Sequence, residues 1–267
     1  MSIEMKEKSN ILILTGSGIR HQFFIQQLNY HYSISEVYIE KDNYPIPRPQ
    51  SEEESIAWNW FFKRRDRYEK KLIQESSRLD KKNKPKITYL ETGELNSSST
   101  IAKIEKSNCG FIAVFGTGIL KKPFLQKFQD RLFNLHIGDP EFYRGSSCNF
   151  WPIHQGKLQH MSATIHRIDQ GIDTGDMLFR QAVTLSAIDN EQTLLLKPIK
   201  MGAKLMVKTI KNWKNGGLQP IPKNRSGKLF KKKDFTPKAI LEVKQMVESG
   251  RLKDHIEAQN ALARNET

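Results

Sequence analysis

The sequence predicts an α/β fold: a Rossmann-like, mainly parallel sheet with helices on both faces, followed by a short basic C-terminal extension. Short apolar runs alternate with helical segments along the chain, which is the order typical of a parallel sheet. The first run, residues 11–14, is followed by a glycine turn at residues 15–18 and then by a helical segment. The length of 267 residues suits one large α/β domain or one domain with an appendage.

The first half of the chain supplies four of the predicted strands. They lie at residues 11–14, 34–39, 87–90 and 111–115. Helices are expected from near His21, from a capping box formed by Ser51 and Glu54, and at residues 99–106. Three prolines at residues 45, 47 and 49 predict a loop over residues 44–50.

The second half continues the alternation and then changes character. Strands are predicted at residues 132–136, 163–168 and 177–183, and helices from Pro123, at 149–155 and at 190–213. A connector rich in Gly, Pro and Lys follows, with a hairpin expected near Leu229. A last helix is expected at residues 237–247, with a tail that frays beyond Gly250.

Charge and cysteine content narrow the classes of function. Lys and Arg number 43 against 29 Asp and Glu, a net charge of +14. Residues 197–238 hold 13 basic residues and one acid, Asp234. Such a block favours an anionic partner, although a solvated basic face with no partner stays open. Two cysteines far apart, a polar N-terminus and no apolar run near the roughly 18 residues of a membrane helix predict a cytoplasmic protein without a membrane partner.

Two local patterns carry candidate chemistry. Gly16, Ser17 and Gly18 could present backbone N–H groups to a substrate phosphate at a helix start, or could form only a tight turn. Asn134 and His136 share one face of a predicted strand, at its carboxyl end, where ligands bind in open parallel sheets. Taken alone, this second pattern favours a histidine packed in the core. Phosphate-loop, zinc-protease helix and nucleophile-elbow motifs are absent from the sequence.

Three motifs that follow one another along the chain favour a functional role for Asn134 and His136 over a packed core histidine. Asn134-Leu-His136, then Tyr143-Arg-Gly145, then the segment ATIHRIDQGIDTG at residues 163–175 resemble the folate-dependent formyltransferases in order and spacing. That family includes methionyl-tRNA, glycinamide ribonucleotide and sugar N-formyltransferases. The resemblance implies that Asn134, His136 and Asp173 are catalytic and that 10-formyltetrahydrofolate is the formyl donor, with no metal. The residues after His136 depart from the usual family pattern, which bears on the acceptor pocket more than on the reaction.

The resemblance also implies the remaining site residues and the division of the chain. The folate pocket is expected from two segments: Gly118, Ile119, Leu120, and Gln170, Gly171, Ile172, Thr174. Arg144 is a candidate contact for an anionic acceptor, with a structural ion pair as the alternative, and His166 is assigned a structural role. Residues 1–187 are expected to form the catalytic domain, and residues 188–267 a helix, hairpin and helix extension.

The acceptor is expected to be a primary amine on a phosphorylated small molecule such as a nucleotide-linked amino sugar. Family members that act on initiator tRNA carry a C-terminal barrel, and the 54 residues after Trp213 are too few for one. The related hydrolases carry an N-terminal domain for which residues 1–10 leave no room. A tRNA enzyme that uses the basic block, a non-catalytic nucleotide- or RNA-binding relative, and a homodimer all stay open.

Overall fold

The computed structural model describes residues 10–41, 47–79 and 81–265. Part of the predicted proline loop therefore lies outside the described residues, while residues 47–50 form no regular element. Within the described ranges, no helix is long and apolar enough to cross a membrane.

A seven-stranded sheet forms the centre of the molecule, in the order β3-β2-β1-β4-β5-β7-β8. The strands of the first five positions pair in parallel, and β7 and β8 pair antiparallel at one edge. This confirms the mainly parallel α/β prediction. The strands are β1 Asn10–Gly16, β2 Glu36–Glu40, β3 Lys86–Leu90, β4 Cys109–Phe115, β5 Leu132–His136, β7 Ser162–Arg167 and β8 Met177–Ala182, with β6 Tyr143–Gly145 outside this sheet.

Helices cover both faces of the sheet because its central strands β1 and β4 are apolar on both sides. One face packs against α1 Ile19–His31, α2 Glu52–Ser76 and α6 Glu191–Lys214. The other face packs against α3 Ser98–Lys106 and α4 Lys122–Phe128. Ser51 caps α2 by accepting a hydrogen bond from the backbone N–H of Glu54, and Asn190 caps α6 in the same way. The short α5, Trp151–His154, precedes β7.

The extension does not form the hairpin expected near Leu229. Instead β9, Lys228–Phe230, pairs in parallel with β6, which lies more than 80 residues earlier in the chain. The Phe230 ring stacks on Trp151 at a centroid distance of 4.4 Å. Gly and Pro residues in the connector indicated a turn, but the partner strand was remote, and local turn chemistry carries no information about it.

Residues 251–265 of the tail do not fray either. Gly250 adopts a positive φ of 82° between α7, Pro237–Glu248, and α8, Arg251–Asn265. Leu252 and Ile256 of α8 are buried in a third apolar cluster with α5, α7 and β9. Burial of one helix face, rather than helix propensity, accounts for the order of this segment.

Candidate active site

Strands β5 and β7 bring three polar side chains together at the end of the sheet. Asn134 and His136 lie on one face of β5, whereas Phe133 and Leu135 point into the core on the other. The antiparallel register of β7 places His166 directly opposite Asn134. His136 is the last residue of β5, as the glycine and proline after it predicted.

Asp173, from the loop between β7 and β8, completes this group. Its Oδ2 atom lies 3.4 Å from Nδ1 of His136, and its Oδ1 atom lies 3.3 Å from Nε2 of His166. The amide nitrogen of Asn134 lies 3.5 Å from Oδ1 of Asp173. We call these four residues, as candidates for a role in catalysis, the catalytic cluster; the structure brings together the three side chains that the motifs singled out.

Two backbone features hold Asp173 in place. The residue has a φ of 53°, in the left-handed region that Asp and Asn tolerate better than most residues. The backbone N–H of Gly145 donates to Oδ2 of Asp173 at 2.7 Å. At Gly175 a Cβ atom would lie 1.9 Å from the carbonyl oxygen of Arg167, so only glycine allows the loop to approach β7 this closely.

The surroundings of Asp173 favour its charged form. Burial alone would raise the pKa of this carboxyl, since the side chain is only 11% exposed. His136, His166 and the Gly145 amide outweigh burial and hold the pKa of Asp173 well below its usual range. The cluster therefore contains a carboxylate that is ionised at neutral pH.

Hydrogen bonds orient the His136 ring between two acceptors. Nε2 contacts the carbonyl oxygen of Tyr143 at 2.9 Å, and a carbonyl only accepts, so Nε2 carries a hydrogen. Nδ1 faces the carboxylate of Asp173. A second proton on this ring would therefore be held between Nδ1 and Asp173. The side chain of His136 is 5% exposed.

His166 has a contact role that sequence reasoning missed. Its Nδ1 atom donates to the carbonyl of Arg167 at 2.7 Å, and its Nε2 atom faces both Asn134 and Asp173. The side-chain N–H of Asn134 lies 3.0 Å from that Nε2 atom. His166 thus fixes the orientation of the Asn134 amide and touches Asp173. Only the strand register could have revealed this, because β5 and β7 are separated in sequence.

The loop after β4 contains three of the residues predicted to bind folate. The backbone N–H of Gly118 donates to Oε2 of the buried Glu40 at 2.7 Å, and Oε1 of Glu40 accepts from Gly93 at 2.8 Å. Leu120 is buried, whereas Ile119 is 70% exposed. Glu40 therefore ties this loop to the loop after β3, a role that the sequence analysis did not assign.

The other predicted folate segment surrounds Asp173. Asp169 accepts from the backbone N–H of Gly171 at 3.0 Å and from the Thr174 hydroxyl at 2.6 Å. Gln170 and Thr174 line a cavity of about 400 Å³, which the loop after β4 does not reach. Ile172 is 37% exposed, so each of the two segments presents one exposed isoleucine.

The predicted substrate contacts lie on two other parts of the fold. Gly16 ends β1 and Gly18 caps α1 in an extended conformation, with no side-chain cap on the helix amides. Arg144 donates to the carbonyl oxygens of Gly227 and Ile172 at 2.9 and 3.3 Å. It therefore bridges β9 and the Asp173 loop.

No group of three or more His, Cys, Asp or Glu side chains in the described part of the chain could hold a metal ion.

Comparison with known proteins identifies the family. A family model described as Formyl transferase matches residues 11–210, which include the whole catalytic cluster. The chain belongs to the formyl transferase family. Among curated relatives, a methionyl-tRNA formyltransferase from Synechocystis sp. is 32% identical over 142 residues, 51% of this chain and 42% of that protein. The chain thus spans less than half the length of this relative.

Solved structures of formyltransferases share the fold over more of the chain. A sugar N-formyltransferase from Shewanella sp. has a TM-score of 0.54 and 14% identity, covering 83% of this chain and 76% of that one. A sugar 3N-formyl transferase crystallised in the presence of dTDP and 5-N-formyl-THF has a TM-score of 0.54 and 19% identity, covering 85% and 72%. At these identities the likeness shows a common fold.

Proposed function

We propose that this formyl transferase family member transfers the formyl group of 10-formyltetrahydrofolate to a primary amine. The observation that carries the proposal is the convergence of Asn134 and His136 on Asp173 at the carboxyl end of β5, each with a side-chain nitrogen within 3.5 Å of the carboxylate. An amide donor, an imidazole and an ionised carboxylate are the groups that acyl transfer to an amine requires.

Each member of the cluster has a distinct task in this proposal. When bound, 10-formyltetrahydrofolate supplies the formyl carbon. Asn134, oriented by His166, donates an N–H to the formyl oxygen as negative charge develops there. As the amine nitrogen bonds to the formyl carbon, His136 takes the amine proton at Nδ1, since Nε2 already donates to Tyr143. The ring returns that proton to the folate nitrogen as the bond between this nitrogen and the formyl carbon breaks. Asp173 faces Nδ1 of His136 and stabilises the charged ring while it carries that proton.

Each of the two proposed folate segments presents one exposed apolar side chain to a ligand. Ile119 and Ile172 are among the exposed large apolar side chains of the described residues, one on each segment. Apolar surfaces left exposed on loops at the end of a sheet commonly mark ligand sites. A folate relationship is further supported by the structural neighbour crystallised with 5-N-formyl-THF. We therefore assign Gly118, Ile119, Leu120 and the residues 170–172 and 174 to donor binding.

For the acceptor, we favour a nucleotide-linked amino sugar or a similar phosphorylated small molecule. The net charge of +14 attracts anionic substrates. Structural neighbours that act on sugars match more than four fifths of the chain. Arg144, which lies between β9 and the Asp173 loop, and the amides after Gly16 are the proposed acceptor contacts.

An assay of formyl transfer tests the proposal. Purified protein with 10-formyltetrahydrofolate is expected to release tetrahydrofolate with at least one member of a panel of nucleotide-linked amino sugars. His136→Ala is expected to lose that activity, with a circular dichroism spectrum that matches the unchanged protein. Equal release by the two proteins would refute the role of His136, and release with no panel member would refute the acceptor assignment.

A second candidate is a methionyl-tRNA formyltransferase, because the matching curated relative carries that name. In that case the basic residues between Lys197 and Lys238 would contact tRNA phosphates. Formylation of initiator methionyl-tRNA, with binding that weakens steeply as salt is raised, would support this candidate. A rate with tRNA below that with amino sugars would exclude it.

We also propose a reducing compartment, the cytoplasm, for this protein. Cys109 and Cys148 are both buried free thiols, and burial raises the pKa of each. Neither thiol is therefore poised for oxidation.

A further inference from the structure

A second polar cavity lies beyond β6, outside the catalytic cluster. Its volume is about 340 Å³, and it is bounded by β6, β9 and the short helix Leu158–His160. The side chain of Tyr143 lines this cavity, whereas the backbone carbonyl of the same residue contacts His136. We call it the β6–β9 pocket.

The lining of the β6–β9 pocket is strongly cationic. Lys157, Arg225 and Lys228 contribute to its wall, and none of the described lining residues is acidic. Two carboxylates that precede β6 in the chain, Asp139 and Glu141, contact Arg180 instead. The three cations therefore lack a carboxylate partner among the described residues, and their positive potential extends into the cavity.

Aromatic contacts hold this lining in shape. The rings of Phe142 and His160 stack at a centroid distance of 3.5 Å, and the guanidinium carbon of Arg225 lies 3.7 Å from the centre of the Phe142 ring. The ammonium of Lys228 lies 4.9 Å from the Phe230 ring centre. Cation–π contacts fix long side chains that would otherwise lose entropy on binding a ligand.

The pKa of His160 is lowered by its surroundings in the pocket. Burial lowers the pKa of this ring, and Arg225 and Lys157 lower it further, while Asp139 opposes them. The ring is therefore neutral at physiological pH and offers an N–H to a ligand without adding a fourth charge.

We propose that the β6–β9 pocket binds the phosphate or pyrophosphate group of a small molecule. Two lysines and an arginine with free donors match the oxygens of a phosphate, and arginine adds a planar fork. A concave site of this volume suits a small ligand, whereas a nucleic-acid backbone needs an extended surface. This proposal also assigns a ligand contact to Arg225 and Lys228, two of the basic residues between Lys197 and Lys238.

Calorimetric titration with pyrophosphate and with UDP, without any formyl donor, tests the pocket. The double variant R225Q/K228Q is expected to bind pyrophosphate at least about 10-fold more weakly than the unchanged protein, because it loses two charge-assisted contacts. The control K70Q/K103Q removes the same charge from exposed positions on α2 and α3, outside the basic block, and is expected to stay within about 2-fold.

The outcomes separate the ligand sources. Tighter binding of UDP than of pyrophosphate, with the same loss in R225Q/K228Q, would identify a nucleotide as the ligand class. Failure of the unchanged protein to bind either compound, or equal affinity in both double variants, would overturn the proposal. Loss of tRNA binding in R225Q/K228Q without any pyrophosphate binding would also overturn it. Because no formyl donor is present, each of these results leaves the proposed formyl transfer separately testable.

Discussion

At the scale of single residues, the carboxylate of Asp173 holds the catalytic cluster together, because it contacts several of its neighbours at once. Asp173 contacts His136 and His166 and accepts from the backbone of Gly145. The two imidazoles and the donated N–H together outweigh the cost of burying the carboxylate. Removing the charge while keeping the shape of the side chain therefore separates electrostatics from packing.

Asp173→Asn is expected to lower kcat for formyl transfer by about 10²–10⁴-fold, because His136 loses the charge that stabilises its protonated form. Asn also tolerates the φ of 53°, so the backbone of the loop should keep its conformation. Steady-state kinetics measures the effect. Asp130→Asn, at an exposed position, serves as the matched control, and a kcat within 3-fold of the unchanged protein for Asp173→Asn would contradict the assigned role.

A second residue-scale prediction concerns the neutral, buried His21. Burial and Arg20 lower its pKa from 6.5 to about 3, although the carbonyl of Phe115 opposes them. As pH falls below 6.5, His21 therefore becomes protonated in the unfolded chain but stays neutral in the folded chain. The stability associated with neutral His21 is present above that pH and decreases by about 1.4 kcal/mol per pH unit towards pH 3.

Urea unfolding between pH 7.5 and pH 5 measures this dependence. We expect His21→Asn to show a shallower fall in the free energy of unfolding than the unchanged protein. His31→Asn, at an exposed position on the same helix, should keep the original pH dependence. Parallel curves for the unchanged protein and His21→Asn would refute the effect.

At the scale of elements, the packing of α6 on β5 supports the strand that carries the site. A Cβ atom at Gly202 would lie 2.1 Å from Cδ1 of Leu135, so glycine is required for this close approach. Leu135 alternates with Asn134 and His136 along β5. A shift of Leu135 would therefore be transmitted to the catalytic face of the same strand.

Gly202→Ala is expected to lower the free energy of unfolding by about 1–3 kcal/mol, although alanine is the better helix former. Chemical denaturation measures this change. Gly217→Ala is the control, because the nearest atom to its added Cβ is the carbonyl oxygen of Asn212 at 3.8 Å. The double variant G202A/L135A should lose less unfolding free energy than the two single variants lose together. The smaller side chain at position 135 leaves room for the new methyl group. Full additivity would show that the two positions do not contact each other.

At the scale of the whole molecule, charge is the dominant feature. The net charge is +14, and the β6–β9 pocket places part of it around a cavity. Charge of one sign over a large surface accelerates and strengthens the binding of anions from a distance, and salt screens it. The chemistry at the buried cluster should be screened much less.

Raising sodium chloride from 50 to 300 mM is therefore expected to raise KM for a phosphorylated acceptor several-fold, with little change in kcat. Initial-rate kinetics at several salt concentrations provides the measurement. The same amino sugar without its phosphates is the control and should show a salt-independent KM. A fall in kcat with an unchanged KM would contradict the charge argument.

Much of the fold followed from local patterns in the sequence. Strand β5 begins and ends at the predicted residues 132 and 136, and the helix predicted at 190–213 is observed as α6 with Asn190 as its cap. Apolar runs and caps are local signals, so the residues themselves reveal them. The hairpin near Leu229 was wrong because β9 pairs with a remote strand.

The sequence by itself determined the alternation of strands and helices, the positive charge and the three motifs that contain Asn134, His136 and Asp173. Only the tertiary structure decided that His166 orients Asn134, that Glu40 joins two loops, and that β9 closes a cationic pocket against β6. These contacts join residues 32 to 85 positions apart, whereas sequence periodicity reports only on neighbours within an element. Strand register and loop packing, which are set by burial of the whole core, decide which distant side chains meet.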